Sequence, residues 1–241
     1  MLSSPGRLTA FAVEERRIWV AYARRAARGT SHSWFSPGHV FQVQDRERQV
    51  LRLLARQGIT DLGAMDLLEV GCGSGAWLRQ LVRWGAAPER LAGVDLRPEA
   101  VDTARRLAPA GVRVECGNAT GLPFPDESFD LVLQAVAFSS VTDGGMRRAM
   151  AAEMLRVLRR EGVVLWYDFR FDNPRNPDVR GVGKREIHAL FPGCQVHLQR
   201  ITLASPLVRT VARRSWLAAY LLARIPFLRT HYLGGIRKGT A

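Results

Sequence analysis

The stretch Leu67-Leu68-Glu69-Val70-Gly71-Cys72-Gly73-Ser74-Gly75 constrains this chain most. A short apolar run ends in an acid and then three glycines at alternate positions. Such a run reads as a buried strand that turns sharply into a helix, with a turn bare enough for a ligand to lie against the backbone. A fold built on this unit is a parallel α/β sheet, with its ligand at the turn. The spacing Gly71-x-Gly73-x-x-Ala76 also satisfies the loose dinucleotide pattern, so the turn by itself does not choose the ligand.

The rest of the chain repeats the alternation. Apolar segments at 67–70, 90–95, 112–116, 129–135 and 163–169 read as strands. Helices are expected at 76–84, 98–108 and 144–159, the last capped by Asp143. The strands are too continuously apolar to be one-sided, which predicts a sheet covered on both faces. The tail adds a helix at 184–191, a strand at 195–203, a helix at 207–223 and a closing strand at 230–237, an antiparallel addition at one sheet edge. Ahead of the first strand, amphipathic helices are expected at 9–28 and 43–57, joined through an aromatic loop, Trp34 to His39. Residues 1–60 are thus expected to be a helical lid or extension, and residues 61–241 the catalytic domain.

Composition narrows the setting. The 241 residues suffice for one domain with a full core, and no apolar run is long enough to span a bilayer. The N-terminus lacks the apolar core of a signal peptide. The three cysteines, Cys72, Cys116 and Cys194, form no metal-ligand spacing, so no metal and a reduced, cytoplasmic setting are expected. The net charge is +13, unevenly spread: +6 over residues 1–60, −3 over 61–179 and +10 over 180–241. Basic flanks suit an anionic membrane, a lipid-linked substrate or a nucleic acid, although 33 Arg against 2 Lys also fits simple compositional bias. Trp216, Leu217, Tyr220 and Leu221, fringed by Arg209, Arg213, Arg214, Arg224 and Arg229, suit either an interfacial helix or a helix packed on the sheet with a snorkelling rim.

Four segments are expected to meet beyond the carboxyl ends of the strands. Gly71, Cys72, Gly73 and Gly75 form the turn. Glu69 precedes it, where an acid would repel a pyrophosphate but attract a cofactor bearing ammonium and sulfonium groups. That contrast favours S-adenosylmethionine. Asp95 ends the second strand at the distance expected for a carboxylate accepting ribose hydroxyls, and Leu96 is placed to pack on adenine. Asn118 and Ala119 follow the third strand, where an amide and a backbone N–H suit the adenine edge. Gln134 ends the fourth strand and is expected to line the floor under the methionine part.

With these residues in place, the chain resembles class I S-adenosylmethionine-dependent methyltransferases of the small-molecule, methyltransferase-11-like type. The matching segments are LLEVGCGSGAWL (67–78), GVDLRPEAVDTAR (93–105), GNATGLPFPDESFDLVLQ (117–134) and EMLRVLRREGVVLWYDF (153–169). The resemblance implies a Rossmann-like, doubly wound seven-stranded sheet, mostly parallel with an antiparallel last strand. It implies Glu69 and Gly71 near the methionine end, Asp95 on the ribose and the Asn118 region on adenine. The family usually has Asp where this chain has Asn118, which keeps the acceptor oxygen and loses the charge.

Methyl transfer from a sulfonium needs alignment first, and a base only if the acceptor must lose a proton. The candidates are Asp168, Tyr167 and His39 for catalysis, and Trp34, Phe35, Arg170 and Arg175 for the substrate. The expected function is methyl transfer from S-adenosylmethionine, giving S-adenosylhomocysteine, to a small or lipid-linked acceptor. The alternatives are an RNA-directed methyltransferase, disfavoured because no Asn-Pro-Pro-Tyr-type motif follows the fourth strand, and a non-catalytic S-adenosylmethionine-binding scaffold.

Overall fold

Every residue of the strands β1 (Leu67–Val70) and β2 (Leu91–Asp95) is buried, as sheet-centre strands covered on both faces must be. The computed structural model describes residues 5–27, 29, 33–173 and 176–239, with side chains from residue 11 onward. The other strands are β3 (Arg113–Cys116), β4 (Phe129–Ala135), β5 (Leu158–Phe169), β6 (Gln195–Leu203) and β7 (Arg229–Arg237). The helices are α1 (Pro5–Ala27), α2 (Pro37–Arg56), α3 (Ala76–Arg83), α4 (Pro98–Leu107), α5 (Gly144–Val157), α6 (Lys184–Leu190), α7 (Ser205–Val211) and α8 (Trp216–Ala223). The seven strands form one sheet in the order β3-β2-β1-β4-β5-β7-β6. The pairs from β3 through β5 are parallel, and β7 runs antiparallel to both β5 and β6. The doubly wound, mostly parallel sheet expected from the sequence is therefore the observed one. Its strand order reverses at β1, between β2 and β4, the position where such sheets open a crevice.

Side-chain alternation divides the core in two. On one face Leu68, Val70, Val132, Val164 and Trp166 pack with α5 through Met146, Met150 and Met154, and Ile18 of α1 joins them. On the other, Leu67, Leu131, Leu133, Leu165 and Tyr167 pack with Val50, Leu53 and Leu54 of α2 and Trp77, Leu78 and Leu81 of α3. The two N-terminal helices thus do different things. α2 helps to close one face of the sheet, whereas α1 lies over the edge of the α5 side.

Three elements depart from the sequence reading. The loop expected at 34–39 ends early, because Pro37 opens α2 with a φ already suited to a first helical turn, and His39 is helical. β5 begins at Leu158, directly after α5, because Phe129 pairs with Leu158 and Arg159 forms ion pairs with Asp130 and Asp66 at 2.6 and 2.8 Å. The single helix expected at 207–223 is two. Ser215 is extended and its Oγ accepts the Ala218 N–H at 3.1 Å, restarting the chain as α8. Among the described residues no helix is long and apolar enough to cross a membrane.

Candidate functional site

The turn after β1 carries its three glycines at φ 75°, 53° and 73°, in the left-handed region that glycine occupies without strain. Gly71 and Cys72 both donate their N–H groups to the Val94 carbonyl, at 2.8 and 3.0 Å, so the turn is stitched to β2. A Cβ on Gly71 would come within 2.7 Å of the Ala137 Cβ, and one on Gly75 within 3.2 Å of the Ala104 Cβ. Gly71 therefore lets the turn after β4 approach, and Gly75 lets α3 settle on α4. Beside Gly73 the space is open. A cavity of about 320 Å³ lies there, walled by the turn, the ends of β2 and β4 and one side of α1.

Its polar groups are few. Glu69 is 2% exposed, and its Oε2 is buried with no hydrogen-bond partner. Burial, reinforced by the Asp95 charge, pushes this carboxyl well above the ordinary carboxylate range. Asp95 accepts the Gly73 N–H at 2.8 Å through Oδ2 and the Arg97 N–H at 3.0 Å through Oδ1. The Arg97 side chain approaches the same Oδ1 at 3.2 Å, and its guanidinium lies 3.9 Å from the centre of the Tyr22 ring. A carboxylate has about four acceptor directions, so Asp95 retains capacity toward the cavity. Asn118 Oδ1 accepts the Thr120 N–H at 2.9 Å, an Asx-turn, and its Nδ2 donates to Glu15 of α1. Leu96 and Ala119 complete this wall. Cys72 also lines it, and burial raises its thiol far above the ordinary range, so it stays neutral.

The opposite wall is the segment between β4 and α5. Val136 sits at φ 62°, a strained conformation for a β-branched residue. Its N–H donates to the Tyr167 carbonyl at 2.8 Å, and its carbonyl accepts from the Ser140 hydroxyl at 3.2 Å. Gln134 is wholly buried and braces this turn, accepting the Ala137 N–H at 3.2 Å and donating to the Tyr167 carbonyl at 3.5 Å. It is not among the residues that line the cavity, contrary to the expected floor position, and neither is Gly75. Val141 does line it, and its carbonyl is held at 2.7 Å by Arg147, a fully buried guanidinium that also pairs with Glu186 at 2.7 Å.

α1 closes the remaining side. Ile18, Tyr22 and Arg25 line the cavity, and the Tyr22 hydroxyl meets the Ser140 Oγ at 3.0 Å. Sequence periodicity gives the helix but not its position over the cavity. Nor does it give Val136 or Arg97, since a left-handed valine leaves no compositional trace.

The residues expected to act in catalysis or on the substrate lie elsewhere. Tyr167 faces α2, where it stacks on His231 at 4.6 Å and its hydroxyl meets Thr202 Oγ1 at 3.0 Å. The alternation of β5 turns Asp168 to the other face, fully buried, where it accepts the Ser139 and Phe169 N–H groups at 3.1 and 2.8 Å. Asp168 therefore supports the cavity wall from behind. His39 packs edge-on against Trp34 at 5.3 Å, and both are outside the cavity lining, as is Phe35, which is 97% exposed. Arg170 donates to the Arg229 carbonyl at 2.9 Å and covers the Phe171 ring. Arg175 lies outside the described residues.

Residues 67–162 match a family model described as a methyltransferase domain. Over these residues the chain is similar to methyltransferase domains. The match runs from β1 into β5 and holds the glycine turn, Asp95 and the β4 turn. Among curated proteins, a phthiotriol/phenolphthiotriol dimycocerosates methyltransferase of Mycobacterium tuberculosis is 36% identical over 114 residues, 47% of this chain and 41% of that protein. A fatty-acid O-methyltransferase of Mycolicibacterium smegmatis is 29% identical over 174 residues, 68% of this chain and 62% of that protein. The matches thus span less than two thirds of these relatives' own lengths, 41% and 62%. The methyltransferase fold itself recurs in the crystal structure of an S-adenosylmethionine-dependent methyltransferase from Mesorhizobium loti. That structure has a TM-score of 0.57, 18% identity, and coverage of 79% of this chain and 97% of that one.

Proposed function

We propose that this methyltransferase domain transfers a methyl group from S-adenosylmethionine to a small, apolar or lipid-linked acceptor. The observation that carries the reading is Glu69: a buried carboxylate oxygen without a partner, beside a bare glycine turn. Leaving such an oxygen unpaired is costly, and a cationic ligand group repays that cost. The rest of the cavity fits the same ligand. Glu69 would hold the ammonium end, the free acceptor directions of Asp95 the ribose hydroxyls, and Leu96, Asn118 and Ala119 the adenine, with Gly71, Cys72 and Gly73 as the backbone cradle. When bound, this cofactor supplies a methyl group already activated on a sulfonium.

The chain's own contribution is then alignment and exclusion of water. Ile18, Val136, Val141, Met146 and Met150 give the cavity an apolar wall, which suits an apolar acceptor. The Tyr22 and Ser140 hydroxyls are the polar contact offered beside it. α1 serves as the lid, held by Glu14, Glu15, Arg17 and Tyr22, while α2 belongs to the core. The named acceptors of the two curated relatives, a phthiotriol lipid and a fatty acid, support a lipid-like acceptor here. Three free cysteines suit a reduced, cytoplasmic setting.

The test is incubation of lipid and metabolite extracts with the protein and methyl-labelled S-adenosylmethionine, read by mass spectrometry, alongside calorimetry of Asp95→Ala. Label should appear in an apolar product, and the variant should lose cofactor affinity. Unchanged affinity in Asp95→Ala would overturn the site, and tight binding without any labelled product would leave a non-catalytic scaffold.

A further inference from the structure

α8 is apolar along its whole length, Trp216-Leu-Ala-Ala-Tyr-Leu-Leu-Ala223, yet only Ala219 of it is buried. A helix apolar all round belongs inside a core or against another apolar phase. Here Leu217 is 68% exposed, Leu221 is also exposed, and the following turn leaves Phe227 73% exposed. Ala219 is buried among Phe41, Leu203, Val208 and Ala212, with Leu222 and Ala223 packed against them, so one side of α8 seats on the end of the sheet while Leu217, Leu221 and Phe227 stay exposed.

The position is specific. The chain leaves β6 at Leu203, forms α7, α8 and the turn 226–228, and re-enters the sheet at Arg229, which pairs with Leu203. Because β6 and β5 both run antiparallel to β7, this excursion projects from the carboxyl end of the sheet, the end that holds the cavity. The start of α2 joins it: a Cβ on Gly38 would stand 2.9 Å from the Arg209 Cα, which brings exposed Phe35 to the same end.

Charge identifies the occupant. Arg209, Arg213, Arg214 and Arg224 are exposed around this patch, and among the described residues none of them forms an ion pair with an acid. No acidic residue follows Glu186 in the chain. Aliphatic and aromatic side chains ringed by uncompensated arginines match the boundary between acyl chains and anionic headgroups. A second copy of this chain is a poor fit, because a twofold contact would set one arginine ring against another. RNA would satisfy the arginines but leave Leu217 and Leu221 with little to pack on.

We infer that α8 and the turn 226–228 dock this protein on an anionic lipid bilayer, with the carboxyl end of the sheet turned toward the membrane. This goes beyond the methyl-transfer reading and is measured without a methyl donor. The experiment is co-sedimentation of the full chain with phosphatidylglycerol/phosphatidylcholine vesicles and with phosphatidylcholine vesicles alone, at low and high salt. Binding should require the anionic lipid and weaken with salt. Arg213→Gln with Arg214→Gln should lower partitioning about 30-fold, from about 1 kcal/mol per basic residue near the surface. Leu217→Ser with Leu221→Ser should abolish it. Both double variants should keep wild-type S-adenosylhomocysteine affinity, which separates loss of docking from loss of fold or of the cofactor site. No binding to anionic vesicles, or equal binding by the variants, would overturn the proposal. So would a concentration-dependent dimer in sedimentation velocity that Leu217→Ser with Leu221→Ser dissolves, which would make the patch a self-association surface.

Discussion

Glu14 of α1 and Thr142 of the β4–α5 segment are joined at the edge of the cavity. The Glu14 carboxylate accepts both the backbone N–H of Thr142 and its hydroxyl, the latter at 3.0 and 3.1 Å, and Arg17 donates to the same carboxylate at 2.8 and 2.9 Å. One buried acid therefore fastens the helix that roofs the cavity to the segment that walls it.

Removing that acid should loosen α1. Glu14→Ala leaves the Thr142 N–H without its acceptor and the Arg17 guanidinium with only the Ser140 and Asp178 carbonyls, a loss of about 1–3 kcal/mol. Trypsin should then cut faster at Arg16, Arg17 and Arg24, and unchanged cleavage would refute the fastening role. Burial raises the Glu14 pKa, but the bonds from Arg17 and Thr142 outweigh it and leave the group below its ordinary value. Its contribution is thus fully present at neutral pH and is lost as pH falls through the lowered folded value, so the gap between wild type and variant should close in acid.

Asp168 should act in the opposite direction. Burial, partly offset by the hydrogen bonds from Ser139 and Phe169 and by the Arg147 charge, pushes its pKa up to about 6. Between the unfolded value and about pH 6 the folded state holds the extra proton, so this group lowers stability as pH rises. Urea unfolding of wild type and Asp168→Asn across that range should show the wild type losing stability relative to the variant, by at most about 1.4 kcal/mol per pH unit. Parallel pH profiles for the two proteins would contradict the assignment.

Glu69 gives the cofactor reading a proton signature. Its carboxyl is raised above the ordinary range, so a cationic group arriving beside it favours the ionised form and expels a proton. Affinity for S-adenosylmethionine should rise as pH climbs above the ordinary carboxylate range, by at most about tenfold per unit, until Glu69 is ionised in the free protein, and the calorimetric heat should depend on the buffer. Glu69→Gln should bind more weakly and lose the buffer dependence. A buffer-independent heat in the wild type would count against Glu69 as the ammonium partner.

The sequence made the β1–α3 unit legible because buried parallel strands must be continuously apolar and the turn must accept positive φ. It made Asp95 legible because the carboxyl ends of neighbouring strands converge. Tyr167 and Asp168, expected to act in catalysis, both lie near the right strand end, but alternation sends one toward α2 and the other behind the cavity wall, a difference that composition does not reveal. Gln134 was placed at the right strand end, but it turns toward the backbone that it braces.

What the sequence determined by itself was the sheet, its switch point and the acidic and glycine positions around the turn, since these follow from local pattern and strand order. The tertiary structure decided which side chains share the cavity. It drew α1 across the cavity mouth through Glu14, Glu15 and Tyr22, held Val136 in a strained turn, and left the Leu217 and Leu221 side of α8 uncovered. These depend on contacts between segments far apart in the chain, and periodicity within one segment does not encode what packs against it.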